Sequence, residues 1–134
     1  MTENNNIEEA PMCFVCGQDN PIGLQIGFSV QDGICTGRFT PGRHHVGFSD
    51  TVHGGIIFSV LDGVMANLLY LRGTKAHTAR CEIRYRKALR VGQEIILTGS
   101  IESERRRLVS LKGEARLADG GDLIADSSAS FMLE

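Results

Sequence analysis

The sequence predicts an α+β fold in which one long buried helix is wrapped by a curved antiparallel β-sheet. One segment, residues 55–71, is apolar around nearly its whole circumference, the mark of a buried helix. The other patterned segments alternate with a period of two, so each strand has one apolar face. The chain has 134 residues, 42% apolar and 22% charged, enough for one domain with one core. A one-sided sheet with a single helix to cover it must curve around that helix.

Residues 1–12 are polar and acidic and are expected to form a flexible tail ahead of a single domain, 13–134. Residues 13–23 (CFVCGQDNPIG) form a compact loop rich in turn formers. Leu24, Ile26, Phe28 and Val30 alternate with polar or small residues, and Gln31, Asp32 and Gly33 lead into 34–40, so this region reads as a hairpin. Residues 41–52 (PGRHHVGFSDTV) have no period and read as a loop. In the helix that follows, Gly55, Ser59, Asp62 and Ala66 make a narrow stripe of small or polar side chains, which lets another surface approach closely. Beyond Arg72, Gly73 and Thr74, strand patterns recur over 78–87, 94–102, 108–117 and 123–133, the last two joined by a turn at 118–121. The order ββαβββ or ββαββββ, with the sheet wrapped on the helix, is the hotdog fold.

Composition excludes several classes of function. Sixteen glycines against three prolines point to tight turns rather than disorder. A net charge of −2 gives no drive toward a polyanion, so no nucleic acid is expected. The longest apolar run is broken by Ser59, Asp62, Gly63 and Asn67 and falls short of the roughly 20 residues of a membrane span, so no membrane is expected either. The polar start lacks the pattern of an export signal, which places the protein in the cytoplasm with its four cysteines reduced. Cys13 and Cys16 have the spacing of half a zinc site, but Cys35 and Cys81 sit singly in strands and no second ligand pair follows, so no metal is expected. Nor does the pair open a helix after a strand, as a thioredoxin-type redox motif would, and a loop-stabilising role is the reading.

Asp62 is the most informative position, because a carboxylate in an apolar helix is costly unless paired, neutralised or facing a wet site. His53, Gly54 and Gly55 begin the same helix, where unpaired N–H groups and the positive end of the dipole can polarise a carbonyl oxygen. Glycine there lets a ligand touch the backbone. Gly55 and Asp62 are seven residues apart, about 10 Å along the axis, whereas reacting atoms must come within about 3–3.5 Å. Two copies about a two-fold axis would bring Asp62 of one to the Gly55 N–H of the other, with the small stripe allowing the closeness. A homodimer or dimer of dimers with a shared site is expected.

Three stretches carry a family resemblance: HGGIIFSVLDG at 53–63, with the Asp nine residues after the His, CFVCGQDNPIGL at 13–24, and IRYRKALRVGQE at 83–94. On these the sequence resembles the hotdog-fold acyl-CoA thioesterases of the phenylacetate-pathway type, over nearly the whole chain from Cys13. The resemblance implies an acyl-CoA substrate and no cofactor. It makes Asp62 the general base or nucleophile, the Gly55 N–H the group that polarises the thioester carbonyl, and His53 the residue that orients the loop. Thr78 matches a hydroxyl that helps to hold the attacking water. Gly54, Ser59, Arg86 and Lys87 fall to substrate binding, and Arg84, Arg90 and Arg105, Arg106 and Arg107 are further cations for the coenzyme A phosphates. One departure is Gly47, where some members carry an Asn six residues before the His; His45 and Asp50 are the candidates to replace it. Two rivals share the fold. A hydratase or dehydratase needs an Asp and a His together, and a non-catalytic acyl-CoA or lipid-binding protein uses the same tunnel without turnover.

Overall fold

The computed structural model describes residues 10–134. Its elements in order are β1 (Ser29–Gln31), β2 (Ile34–Phe39), a 3-10 turn (Arg43–His45), β3 (Val46–Phe48), β4 (Thr51–Val52), α1 (Gly54–Leu71), β5 (Ala76–Tyr85), β6 (Ile95–Arg105), β7 (Leu108–Leu117) and β8 (Leu123–Leu133). Six strands form one sheet in the order β1-β2-β6-β7-β8-β5, every pair antiparallel. The sheet packs on α1, which is the predicted hotdog architecture.

The core is the interface between α1 and the inner sheet face. Ile95 and Leu97, Val109 and Leu111, and Ala129 and Phe131 meet Val60, Leu61, Val64, Met65, Leu68 and Leu69, all buried. Each large side chain withdrawn from water contributes roughly 1.5–3 kcal/mol. At the centre of the sheet Gly99 pairs with Gly113. A Cβ on Gly99 would lie 2.9 Å from the Val64 carbonyl oxygen, and one on Gly113 would lie 2.7 Å from Ser127 Oγ. At Gly99 β6 therefore sits directly on the helix backbone, while Gly113 makes room for the side chains of Ser127, Met65 and Leu61. By length and composition α1 could cross a membrane, and half of it is buried here within the fold.

Three expectations are revised. The first strand begins at Ser29 rather than Leu24, because the Leu24 and Ile26 amides donate to the carbonyls of Phe14 and Val15 (2.7 and 2.9 Å) and so tie down the N-terminal loop instead of extending the sheet. The region 41–52 is not wholly irregular, since it holds the 3-10 turn and the β3–β4 ribbon. Of the tail expected over 1–12, residues 1–9 lie outside the described residues. The carbonyls of Ala10, Pro11 and Met12 accept from the Cys13 amide, the Asp19 amide and Asn20 Nδ2, so these three belong to the loop.

The expected strip Gly55, Ser59, Asp62 and Ala66 remains exposed or half-buried, flanked by the half-buried Ile56 and Phe58, while Ile57, Val60, Leu61 and the 63–65 and 67–69 segments are buried. β5 lies at the edge of the sheet, with one side unpaired and most of its residues exposed.

The fit of sheet to helix makes Gly99→Ala an overpacking change. It is expected to cost about 1–3 kcal/mol, read as a lower urea midpoint at unchanged slope. An unmoved midpoint would show that the helix backbone does not lie against β6.

Candidate active site

His53 caps α1. Its extended backbone (φ −60°, ψ 134°) turns the ring back over the first turn, where Nδ1 accepts the Gly55 N–H at 2.8 Å. The His53 carbonyl accepts the amides of Ile56 and Ile57 (3.0 and 3.3 Å). With Nδ1 an acceptor, the neutral ring carries its proton on Nε2. The Gly55 amide, expected to polarise a substrate carbonyl, is therefore engaged by the cap. Among the described residues, the amide at the helix start that meets no acceptor is that of Gly54.

Tyr85, at the end of β5, donates its hydroxyl to the Gly54 carbonyl at 2.8 Å, and a Cβ on Gly54 would meet the phenol at 3.4–3.6 Å. Sequence reading did not single out Tyr85, because one aromatic ahead of a basic run has no period to mark it. Gly47 backs the other side of the cap: a Cβ there would lie 3.1 Å from His53 Cα. A side chain at this position, which carries an Asn in the resembling family, would require His53 to give way by a few tenths of an ångström. Neither proposed substitute stands free. His45 accepts the Gly42 N–H on Nδ1 (2.9 Å) and packs on Phe39 (ring centroids 5.3 Å), and Asp50 is paired with Arg90 (2.7 Å).

Asp62 lies two turns further along. Its Oδ1 accepts from Thr78 Oγ1 at 2.9 Å, which brings together two residues singled out in the sequence. Burial pushes the Asp62 carboxyl above its usual range, and the Thr78 hydrogen bond offsets only part of that. Thr78 sits on the edge strand beside a register shift between Thr78 and Arg80, an irregularity of the kind that re-aims side chains. His53 and Asp62 do not meet within one chain, being nine residues apart on one helix, about 13 Å.

A cavity of about 320 Å³ opens beside the helix start, lined among others by Val52, Gly54, Ile57, Tyr85, Arg86 and Lys87. Arg86 pairs with the half-buried Asp126 through Nε and Nη2 (2.9 and 2.8 Å), and Lys87 with Asp122 (2.7 Å) in an exposed ion pair of small net worth. Arg84 also reaches Asp126 (3.8 Å). Ser59 donates to the Gly55 carbonyl (2.8 Å) and so turns its hydroxyl along the helix. Arg105, Arg106 and Arg107 lie at the opposite end of α1, by the β6–β7 turn, where Arg72 holds Glu104 (3.0 Å). They are not brought to the cavity. Among the described residues no group of three or more His, Cys, Asp or Glu side chains stands close enough to hold a metal ion.

A family profile described as the thioesterase superfamily matches residues 50–124, which include the cap, the helix and β5 through β7. The chain belongs to the thioesterase superfamily. It is similar to a thioesterase superfamily protein of known structure at 26% identity and TM-score 0.81, over 88% of this chain and 61% of that one, so it spans less than two thirds of that relative's length. It shares its fold with a hypothetical thioesterase from Streptococcus pneumoniae solved with coenzyme A (12% identity, TM-score 0.81, 98% and 96% covered). The same holds for the phenylacetic acid degradation protein PaaI from Thermus thermophilus (20% identity, TM-score 0.74, 81% and 93% covered). No curated protein sequence matches the chain significantly.

The Asp62 carboxyl gives a pH-dependent stability with a definite sign. Its raised folded-state pKa means that the native chain holds a proton the unfolded chain has released, so stability falls as pH rises from the ordinary carboxylate range through the raised value. Asp62→Asn removes that loss and is expected to melt above wild type at pH 7. The gap should close as pH drops below the ordinary carboxylate range. A variant that melts lower than wild type at pH 7 would contradict this account.

Proposed function

We propose that the chain hydrolyses the thioester of an acyl- or aryl-CoA to free acid and coenzyme A, at a site completed between two copies of the chain. The observation that carries this reading is the Asp62–Thr78 pair. It is a half-buried carboxylate of raised pKa, one oxygen held by a hydroxyl, on the helix whose open amide lies at its other end. Gly54 and Asp62 are eight residues apart, about 12 Å, too far for both to touch one carbonyl. The unpaired edge of β5 and the thinly covered strip on α1 support the approach of a second copy there.

In this reading the thioester carbonyl oxygen accepts from the Gly54 N–H, where the helix dipole favours the charge that develops. Asp62 of the other copy keeps Oδ2 for a water, takes its proton as the water oxygen attacks the carbonyl carbon, and is reset to carboxylate when that proton passes to solvent. The C–S bond breaks with the electron pair on sulfur, and the thiolate is a good leaving group that needs no metal. Tyr85 and His53 hold the peptide units around the Gly54 amide, and Arg86 and Lys87 exchange their carboxylates for the phosphates of coenzyme A. The neighbour of this fold solved with coenzyme A supports that ligand class. The hydratase reading fares worse, because His53 commits Nδ1 to the helix cap, which ties its ring to the Gly55 N–H.

Thiol release from a panel of short, medium, long and aryl acyl-CoAs tests the proposal. Asp62→Asn is expected to fold and to lose roughly 10²–10⁴-fold in turnover. Full hydrolysis by the folded variant would sink the role of Asp62, and saturable acyl-CoA binding without turnover by wild type would point to a binding protein instead. The shared site has its own test. Asp62→Asn mixed with Gly54→Pro, which removes the amide at a position where proline suits a helix start, should regain activity that neither has alone. A site contained in one chain would regain none.

A further inference from the structure

The loop that carries Cys13 and Cys16 takes no part in the chemistry above, yet its construction is specific. The Gly17 N–H donates to the Cys13 carbonyl at 2.8 Å and closes one helical turn over 13–17. Residues three apart on such a turn have Cα atoms about 5 Å apart, within the roughly 4.4–6.8 Å span of a disulfide, and a small inward turn of the two Cβ atoms closes the bond. Gly17 has no substitute, because a Cβ there would lie 2.4–2.6 Å from the Cys13 backbone and the Pro11 carbonyl. The Cys16 amide donates to Cys13 Sγ at 3.5 Å, the amides of Val15 and Gly17 face the same sulfur, and the Cys16 thiol is hydrogen-bonded to it. Both thiols are free and half-buried, so a small reagent can reach them.

We propose that Cys13 is a thiol-exchange site for low-molecular-weight disulfides, with Cys16 as the resolving thiol that closes a reversible Cys13–Cys16 disulfide. In the first step the Cys13 thiolate attacks one sulfur of RS–SR, the S–S bond breaks, and RS⁻ leaves. In the second, Cys16 gives its proton to solvent and its thiolate attacks Cys13 Sγ, expelling the second RS⁻. Two electrons pass from the dithiol to the disulfide, which leaves as two thiols.

The surroundings divide the two roles. Burial pushes the Cys13 thiol up, but the amides of Cys16, Val15 and Gly17 and the Cys16 thiol more than reverse this and leave it below its ordinary value. Cys16 is pushed up to about 11, by burial first and then by its bond to Cys13 and the Cys13 charge. Once Cys13 is capped, that charge is gone and part of the hold on Cys16 is lifted. The other two thiols are poorer targets: burial raises Cys35, which is fully enclosed, and burial and then the Asp62 charge raise Cys81. The loop also reaches the helix that carries Asp62. Val15, between the two cysteines, packs on Gly63, where a Cβ would lie 2.6 Å from its Cγ1, and Cys16 faces Asn67, whose amide donates to the Gly63 carbonyl at 2.9 Å. Disulfide closure withdraws the Cys16 sulfur from Asn67.

The test uses the full chain and oxidised glutathione, with intact mass and peptide mapping. Wild type should lose two hydrogens, map to a Cys13–Cys16 link, and revert with dithiothreitol. Cys16→Ser should retain one glutathione on Cys13, and Cys13→Ser should leave Cys16 unmodified. In case a serine variant fails to fold, iodoacetamide on wild type should alkylate Cys13 at least about tenfold faster than Cys81, as thiolate content dictates. Adducts chiefly on Cys81, equal alkylation of the two, or thiols blocked by co-purified zinc until a chelator is added would each overturn the proposal.

Discussion

The burial of α1 is the constraint on which the rest of the structure depends. A helix apolar on nearly every side must be enclosed on nearly every side, and the chain has one sheet with which to do it. The sheet comes onto the helix backbone where a side chain vanishes, which is the work of Gly99 at its centre, and Gly113 beside it leaves room for the side chains packed there. Enclosure stops at the strip from Gly55 to Ala66 and at the open edge of β5. Those two incomplete surfaces are adjacent because Thr78 on β5 reaches Asp62 on the strip. The place where the fold fails to cover its own helix is the place to which the proposed chemistry is assigned.

One helix also sets the electrostatics. Its N-terminus gathers partial positive charge at Gly54, while the carboxylate at Asp62 is raised in pKa by the burial that the rest of the helix requires. The Thr78 hydroxyl donates to it, enough to orient it but too little to cancel the cost of burial. A fuller set of donors would stabilise the carboxylate and make it a weaker base. The lean environment suits proton transfer better than it suits stability.

Much of this was legible in the sequence, and the limits have a physical pattern. The helix, the four strands after it and the strip with Asp62 follow from periods of 3.6 and 2, which packing enforces over many residues. The family resemblance set Asp62 and Thr78 in one site but did not foresee their hydrogen bond, since sixteen residues and a turn separate the two. What escaped was decided by single hydrogen bonds. Residues 24–28 alternate like a strand, yet two amides turned to the cysteine loop keep them out of the sheet. Gly54 and Gly55 are indistinguishable as letters, and only the bond from the Gly55 N–H to His53 Nδ1 shows which amide is left open. Tyr85 acts through its hydroxyl alone, and no pattern in a sequence marks that.

Local charge tells a similar story against the overall value. A net charge of −2 hides a rim near the helix start where Arg86 and Lys87 are each matched by an aspartate, Asp126 and Asp122. The Lys87–Asp122 pair is exposed and of small net worth, while the Asp126 side chain is only 20% exposed and accepts from two nitrogens of Arg86. A diphosphate offers the guanidinium the same bidentate geometry with more charge than a single carboxylate. Under the proposed reading a phosphorylated ligand would displace the aspartates, Asp122 first, because Lys87 shares a single exposed contact with it whereas Asp126 keeps Arg86 in place through two.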